Sequence, residues 1–360
     1  MKKNYYNMDN LDSKNALFNI LYGERSNGKS FQVKMKKAIK HYLETGKRFI
    51  YMRRFKEELT SYLVSLYFAD IDIGELTEGK YNTVEIWRKT IYFAKYDPDT
   101  LKTTRGEKIG YVVCLNTEQN YAGGSYLDVD NIIFEEFMSR GLYLQSEVDK
   151  LANFWCTVDR KRGHVKVWLI GNTLSRANPY LVEWDLLRDV VKQKQGTIIE
   201  KEIPINDEIS IKLAIEYCEN SGNTSFVFGK HAKMLNEGEW QSDPQPHLAK
   251  SINEYRKLFR CCFVYKSFQF LGEVVQDPET GTKHWFIYPR TKIRRNPEKI
   301  LVLSDVVRPL KNWQSDIYHL KTNNKRLLNF ADLFTWDNIF YSDDLTGTEF
   351  KEVINFEIRR

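Results

Sequence analysis

The sequence predicts an α/β fold in which helices flank an open, mostly parallel sheet, followed by a small helical linker and a second domain of α+β class. Three observations carry this. Short apolar runs alternate with helical periodicity through the first two hundred or so residues. A glycine-bearing loop, Gly23-Glu24-Arg25-Ser26-Asn27-Gly28-Lys29-Ser30, joins the first such run to the first helical stretch. A later apolar run, Asn131-Ile132-Ile133-Phe134, ends on two adjacent acids, Glu135 and Glu136.

Taken in order, Leu17–Tyr22 reads as a buried strand, apolar except for Asn19. From Lys29 to Thr45 the spacing of Phe31, Met35, Ala38, Ile39 and Tyr42 predicts a helix, closed by Gly46. Phe49–Met52 is a second strand, Glu57–Phe68 a helical piece, and Val84–Lys95 a hairpin turning at Arg88-Lys89. Strands at Ile109–Leu115 and Asn131–Glu135 precede a helix over Ser146–Lys161 and a strand at Val165–Ile170. Composition changes after Ile205, where Glu208–Asn220 and Lys230–Glu237 read as short helices. Pro244 and Pro246, in the polar stretch Gln241–His247, mark a boundary. Arg260–Gln276 and Lys283–Arg290 then read as strands around the turn at Asp277–Gly281. The expected domains are therefore 1–206, 207–240 and 241–360.

Composition removes several function classes. No stretch approaches the roughly 20 apolar residues of a membrane span, and the start MKKNYYNMDNLDSKN lacks the apolar run of a secretory signal. The five cysteines (Cys114, Cys156, Cys218, Cys261, Cys262) lack metal-site spacing, which points to reduced thiols and a cytoplasmic setting. The net charge of +6 is compatible with nucleic acid and equally with a solvated surface.

Residues 23–30 form a full GxxxxGK[ST] match, the P-loop of ATP-binding proteins. Gly23 and Gly28 allow the chain to curl so that backbone N–H groups face inward. Glu24, Arg25, Ser26 and Asn27 complete the curl, and the helix that follows adds its free N–H groups. Lys29 offers a charge to the β- and γ-phosphates and Ser30 a hydroxyl to Mg²⁺. Glu135 and Glu136 end a strand at the crevice edge of the sheet and point opposite ways. One can belong to the Mg²⁺ shell while the other polarises the attacking water. After Val165–Ile170, Asn172 either senses the γ-phosphate or simply tolerates a turn. Of Arg160-Lys161-Arg162, one is either an arginine finger acting on a neighbouring subunit, with Arg160 favoured, or a plain helix-end cation. Arg53, Arg54 and Lys56 leave the second strand together, close to the ATP-binding edge, and are candidates for DNA backbone contact in a pore, Lys56 foremost; contact of Arg53 with nucleotide and plain solvation are the alternatives. The loop Gln119–Ser125, with Gly123-Gly124, is a candidate moving element.

These segments, in this order and spacing, resemble the DNA-packaging ATPases of phi29-like tailed bacteriophages. Their wider relatives are the large terminases and FtsK/HerA-type pumps of the additional-strand, catalytic-glutamate class of P-loop NTPases. The resemblance covers the first ~205 residues. It implies an ATP- and Mg²⁺-dependent motor that drives double-stranded DNA into a prohead from the host cytoplasm. It also implies a homo-oligomeric ring, commonly a pentamer, docked transiently on the portal vertex and in some members on a packaging RNA. Lys29 and Ser30 would bind phosphate and metal, Glu136 would be the catalytic base, Asn172 would lie at the coupling motif and Arg160 would act in trans. Glu135 departs from the family's usual Asp. The C-terminal domain would be a vestigial RNase H-like nuclease: its first strand, Phe263-Val264-Tyr265-Lys266-Ser267-Phe268, has Lys and Ser where an acid is expected. Glu273 and Asp277 lie nearby as lone acids. The basic cluster Lys292-Ile293-Arg294-Arg295 with Lys299 is the candidate RNA contact. A helicase, a terminase with a working nuclease and a non-hydrolysing nucleotide-regulated scaffold remain alternatives. No NKxD element supports guanine specificity, and a small-molecule kinase, which places a lid and substrate arginines soon after the second strand, is disfavoured.

Overall fold

The computed structural model describes residues 5–139, 143–204, 209–220, 237, 239–240, 242–265, 268–290, 300–304, 313–314, 329–330 and 332–358. The chain divides into two compact units, one of residues 1–174 and 189–239, the other of residues 175–188 and 240–360.

The first unit is built on nine strands: β1 Phe18–Tyr22, β2 Arg48–Arg53, β3 Thr83–Trp87, β4 Thr90–Asp97, β5 Lys102–Cys114, β6 Val129–Glu135, β7 Lys166–Ile170, β8 Thr197–Pro204 and β9 Ser210–Tyr217. Their order is β3-β4-β5-β2-β6-β7-β1-β9-β8. The run from β5 through β9 is parallel, while β3-β4-β5 and β8-β9 pair antiparallel at the two edges. Central strands of such a sheet are covered on both faces and so read as continuous apolar runs. β1 accordingly is buried throughout. Phe18 meets Trp155 edge-on at 5.5 Å on one face, while Leu21 joins Val33, Ile39 and Trp168 on the other. The first-face helix, Glu147–Asp159, buries Val148, Leu151, Phe154 and Val158. The second-face helix runs Lys29–Val33, Lys34–Lys40 and His41–Thr45, its middle section wound as a wider π-helix, and closes at Gly46 (φ +70°).

Two expectations change here. The expected helix at 208–220 is not helical over its described residues 209–220: Ser210–Tyr217 is β9, parallel to β1 and buried from Leu213 to Tyr217. The signal is present as strict alternation of Ile209, Ile211, Leu213, Ile215 and Tyr217, a period of two. The boundary at 206 therefore fails, since β8 and β9 complete the first sheet. The reading of Glu57–Phe68 as one helix also gives way to a 3₁₀ turn, Lys56–Leu59, and a separate helix, Ser61–Phe68. Thr60 stands between them in extended conformation and caps the second helix by accepting from Leu63 N–H. Of Lys230–Glu237, all but Glu237 lies outside the described residues.

The second unit has a six-stranded sheet: β10 Arg256–Tyr265, β11 Phe268–Gln276, β12 Lys283–Pro289, β13 Leu301–Ser304, β14 Trp313–Gln314 and β15 Ile339–Tyr341. The order is β14-β13-β10-β11-β12-β15, antiparallel between β10, β11 and β12 and parallel elsewhere. Phe263, Phe270, Trp285 and Tyr341 form its core with Phe350 of the terminal helix Asp344–Ile358. Ala177, Val182 and Leu187 of residues 175–188 join the same cluster. That segment is further tied to the terminal helix by Arg176 with Glu349 and by Ser175 Oγ donating to Glu352 at 2.5 Å.

Enclosure pushes the Glu352 carboxyl from its usual 4.5 up to about 7; the Ser175 bond pulls the other way and the nearby Glu349 and Asp243 add to the rise. An acid whose folded pKa is raised holds its proton more tightly in the folded protein. Its favourable contribution is complete below the unfolded pKa and is lost as pH rises towards about 7. Glu352→Gln is therefore expected to flatten the fall in stability between pH 4.5 and 7, as read by denaturant melts across that window.

Candidate active site

At the C-terminal edge of the parallel strands the chain leaves β1 and enters the glycine loop. Gly28 has φ +99°, a conformation other residues rarely adopt, and a Cβ there would stand 3.3 Å from the Tyr5 ring. At Gly23 a Cβ would stand 3.2 Å from the Cys218 carbonyl oxygen, the backbone that follows β9. Asn27 is buried and fastens the loop from inside, accepting from Lys29 N–H at 3.2 Å. Lys29 is itself only 4% exposed; its ammonium donates to Asn27 Oδ1 at 3.1 Å and to the Glu24 carbonyl. Burial pushes its pKa down, against the pull of Cys218 and Glu24. A buried cation held by neutral oxygens at the mouth of a loop is an electrostatic complement for an anion. Arg25 and Ser26 are exposed on the rim, and Ser30 is half-buried beside them.

Gly28, Lys29 and Ser30 share one cleft of about 580 Å³ with Arg53 from β2, Glu135 at the end of β6, Glu136 just after it, and Asn172 after β7. Arg25, Ser26 and Asn27 line it too, as do Tyr5 and Asp70. The parallel pairing of β2, β6, β7 and β1 brings these sequence-distant groups to one edge. Gly171 N–H donates to the Leu21 carbonyl and Thr173 N–H to that of Gly23, seaming the Asn172 segment to the loop.

The two acids differ as alternation predicts. Glu135 is 6% exposed and accepts the Tyr51 hydroxyl on one oxygen; the other, Oε1, is buried without a hydrogen-bond partner among the described residues. Glu136 sits at φ +57° with its side chain 63% exposed at the cleft, where Oε2 accepts from Arg53 at 2.7 Å. Arg53 also donates to Glu58 at 2.9 Å and lies 3.8 Å from Glu135. Burial works against the Arg53 charge, but Tyr51, Glu136 and Glu58 outweigh it and hold its pKa above the usual value. Sequence reasoning misses Tyr51 and Glu58 altogether; Arg53, for which it offered nucleotide contact as one alternative, does line the cleft. The available signal is again a period of two: Phe49, Tyr51 and Arg53 share a face of β2, which runs beside β6.

Arg53 and Arg54 are corrected as DNA contacts. Both are buried, 5% and 4% exposed, because each is enclosed by acids of its own subunit. Arg54 makes two bonds to Glu147 at 2.8 and 2.9 Å and donates to the Glu136 and Phe137 carbonyls. Arg54→Ala is expected to destabilise the fold by roughly 3 kcal/mol, since it strands the fully buried Glu147 carboxylate. Chemical denaturation of the two proteins measures this. Lys56 is exposed at the start of the 3₁₀ turn.

The basic triplet ends the helix Glu147–Asp159, at the edge where β7 begins and opposite the cleft where it ends. Arg162 donates to the carbonyls of Tyr126, Leu127, Val129, Val158 and Asp159, a clamp on the fold. Arg160 is exposed, and its guanidinium donates to the Gly124 carbonyl at 2.8 Å, in the loop singled out as a moving element. Lys161 is also exposed. In the second unit Glu273 is paired with Arg260 and Lys257, and Asp277 accepts the N–H groups of Glu279 and Thr280 in a turn. Lys266, Ser267 and the cluster Lys292, Arg294, Arg295 and Lys299 lie outside the described residues.

Comparison with known proteins places this geometry in context. The family model described as podovirus DNA encapsidation protein (Gp16) matches residues 1–267. A DNA packaging protein of Bacillus phage phi29 is 29% identical over 276 residues, which is 74% of this chain and 74% of that protein. A DNA packaging protein of Bacillus phage B103 is 31% identical over 184 residues, 50% of this chain and 52% of its own length. A solved structure of the phi29 viral genome packaging motor assembly aligns with 98% of this chain and 99% of its own at 22% identity, with a TM-score of 0.56.

Proposed function

Since the chain belongs to the podovirus DNA encapsidation (Gp16) family, we propose that it is the ATP-hydrolysing subunit of a viral DNA-packaging motor. One observation carries the enzymatic part: the phosphate-loop lysine, two strand-end glutamates and a polar residue after the next strand all open into one cleft. Relatives named DNA packaging proteins support DNA as the cargo, double-stranded in the family resemblance. Among the described residues no helix is long and apolar enough to cross a membrane.

In this reading the inward N–H groups of residues 23–30 hold the triphosphate, and Lys29 exchanges its bonds to Glu24 and Asn27 for phosphate oxygens. The partnerless Glu135 Oε1 and the Ser30 hydroxyl share the cleft, which fits a Mg²⁺ ion. When bound there, the ion neutralises phosphate charge. Glu136 takes a proton from water as that water's oxygen bonds to the γ-phosphorus and the bond to the bridging oxygen of ADP breaks. Without nucleotide Arg53 holds Glu136, so the base is free only once that pair opens. Asn172 orients the γ-phosphate or the water. A multi-subunit ring, commonly pentameric in the family resemblance, would stand on a prohead portal in the host cytoplasm and, in some members, a packaging RNA. Lys56 remains a candidate DNA contact.

For the second unit, a meander of antiparallel strands extended by parallel ones supports the vestigial RNase H-like reading. Glu273 is ion-paired with Arg260 and Lys257, which offset its charge in place of a metal.

The test is ATP turnover with and without duplex DNA. Wild type is expected to hydrolyse ATP faster with DNA, and Lys29→Ala to weaken nucleotide binding and abolish turnover. Undiminished turnover in Lys29→Ala would overturn the assignment of the cleft.

A further inference from the structure

At one edge of the first sheet, β3, β4 and β5 form an antiparallel extension with two unlike faces. Val84, Ile86, Ile91 and Phe93 turn inward to the core. Among the alternate residues of the other face, Trp87, Tyr92 and Tyr111 are rings that each carry a cation. Arg88 lies 4.4 Å and Arg105 4.6 Å from the Trp87 ring. Arg105 also lies 5.2 Å from Tyr92, and Lys108 lies 4.0 Å from Tyr111. Trp87 is 42% exposed, so this is an open surface. Of the cations Arg88, Lys89, Arg105 and Lys108, Arg105 is paired with an acid, Glu85, which accepts from it at 2.9 and 3.1 Å.

A second feature points the same way. The hairpin turns on two residues, Arg88 at φ +47° and Lys89 at φ +62°. Such turns favour Asn-Gly because both positions need positive φ. Here the strained positions carry side chains, and those side chains are cations at the tip of the extension. Backbone strain retained against local preference is a pointer to use.

We propose that this outward face binds the phosphate backbone of the packaged duplex, an inference that rests on the DNA-packaging reading. Rings already covered by arginine and lysine are poor platforms for bases, which single strands would require. The same stacking holds the cations in place, so that their N–H groups meet phosphates with little further loss of side-chain freedom. A duplex, whose bases are hidden and whose phosphates are outermost, fits this chemistry.

The experiment uses the full chain. Binding of a short labelled DNA duplex, and of single-stranded RNA of equal length, is followed through a salt series. The proteins are wild type, the triple variant Arg88→Ala/Arg105→Ala/Lys108→Ala, and a control, Lys36→Ala/Lys40→Ala, on the helix of the opposite face. The triple variant is expected to bind duplex about 10–10²-fold more weakly near 0.15 M salt, with a log–log salt slope shallower by about 0.9 for each phosphate that the face no longer neutralises. Its DNA-free ATPase rate is expected to stay that of wild type, and the control to bind as wild type does. An unchanged slope in the triple variant, with wild type binding duplex, overturns the proposal and leaves the packaging reading standing. Loss of RNA binding with duplex binding spared assigns the face to RNA and likewise overturns it. Failure of wild type itself to bind duplex removes the packaging reading and the proposal together.

Discussion

Glu136→Gln is expected to bind ATP as wild type does and to lower its turnover by about 10²–10⁴-fold, the usual contribution of a positioned general base. The substitution keeps the shape and the hydrogen bond from Arg53 but removes the ability to take a proton. Position decides between the two acids. Glu135 is buried, with one oxygen committed to Tyr51, so water reaches it poorly. Glu136 is the exposed one, lifted into the cleft by a left-handed backbone at φ +57°. Glu135→Gln should instead raise the Mg²⁺ concentration needed for half-maximal turnover, because it alters the buried oxygen that lacks a hydrogen-bond partner among the described residues. Single-turnover hydrolysis and equilibrium nucleotide binding separate the two. If Glu136→Gln hydrolyses ATP at the wild-type rate, the base lies elsewhere.

The loop, the acids and Asn172 are legible in the sequence because each belongs to a strand-then-turn segment whose signal is local. The hairpin at Arg88-Lys89 is legible for the same reason, and β3 and β4 flank it as expected. What the sequence hides is partnership. Arg53 and Arg54 read as DNA-facing or solvated cations because nothing local reveals that Glu136 and Glu147 hold them. Those two pairings exist only once β2 lies beside β6, an association of strands far apart in sequence. The segment 208–220 misleads for another reason: its polar residues in alternation, Lys212 and Glu216, resemble the polar face of a helix. Its true period of two becomes plain only when weighed residue by residue.

Arg160 carries the other large effect. Its alanine variant is expected to lose about 10³–10⁵-fold in ATP turnover, the range measured for arginine fingers. Arg160 precedes β7 and the cleft follows it, so the five-residue strand separates them by roughly 16 Å or more within one subunit. An exposed guanidinium held by a loop carbonyl cannot serve its own cleft from there, but it stands ready to enter a neighbour's. Arg162, bonded to carbonyls on two sides, is fixed where it is; Arg162→Ala should lower the melting temperature before it touches the chemistry. Complementation distinguishes trans from cis action. Arg160→Ala subunits keep an intact base, and Glu136→Gln subunits keep an intact arginine. Each protein alone should be nearly inactive, whereas mixed assemblies should regain turnover at clefts of the first kind that receive the arginine of the second. Co-assembly verified by mass, with no recovery of rate, would place the Arg160 contribution within its own subunit and end the case for a shared site.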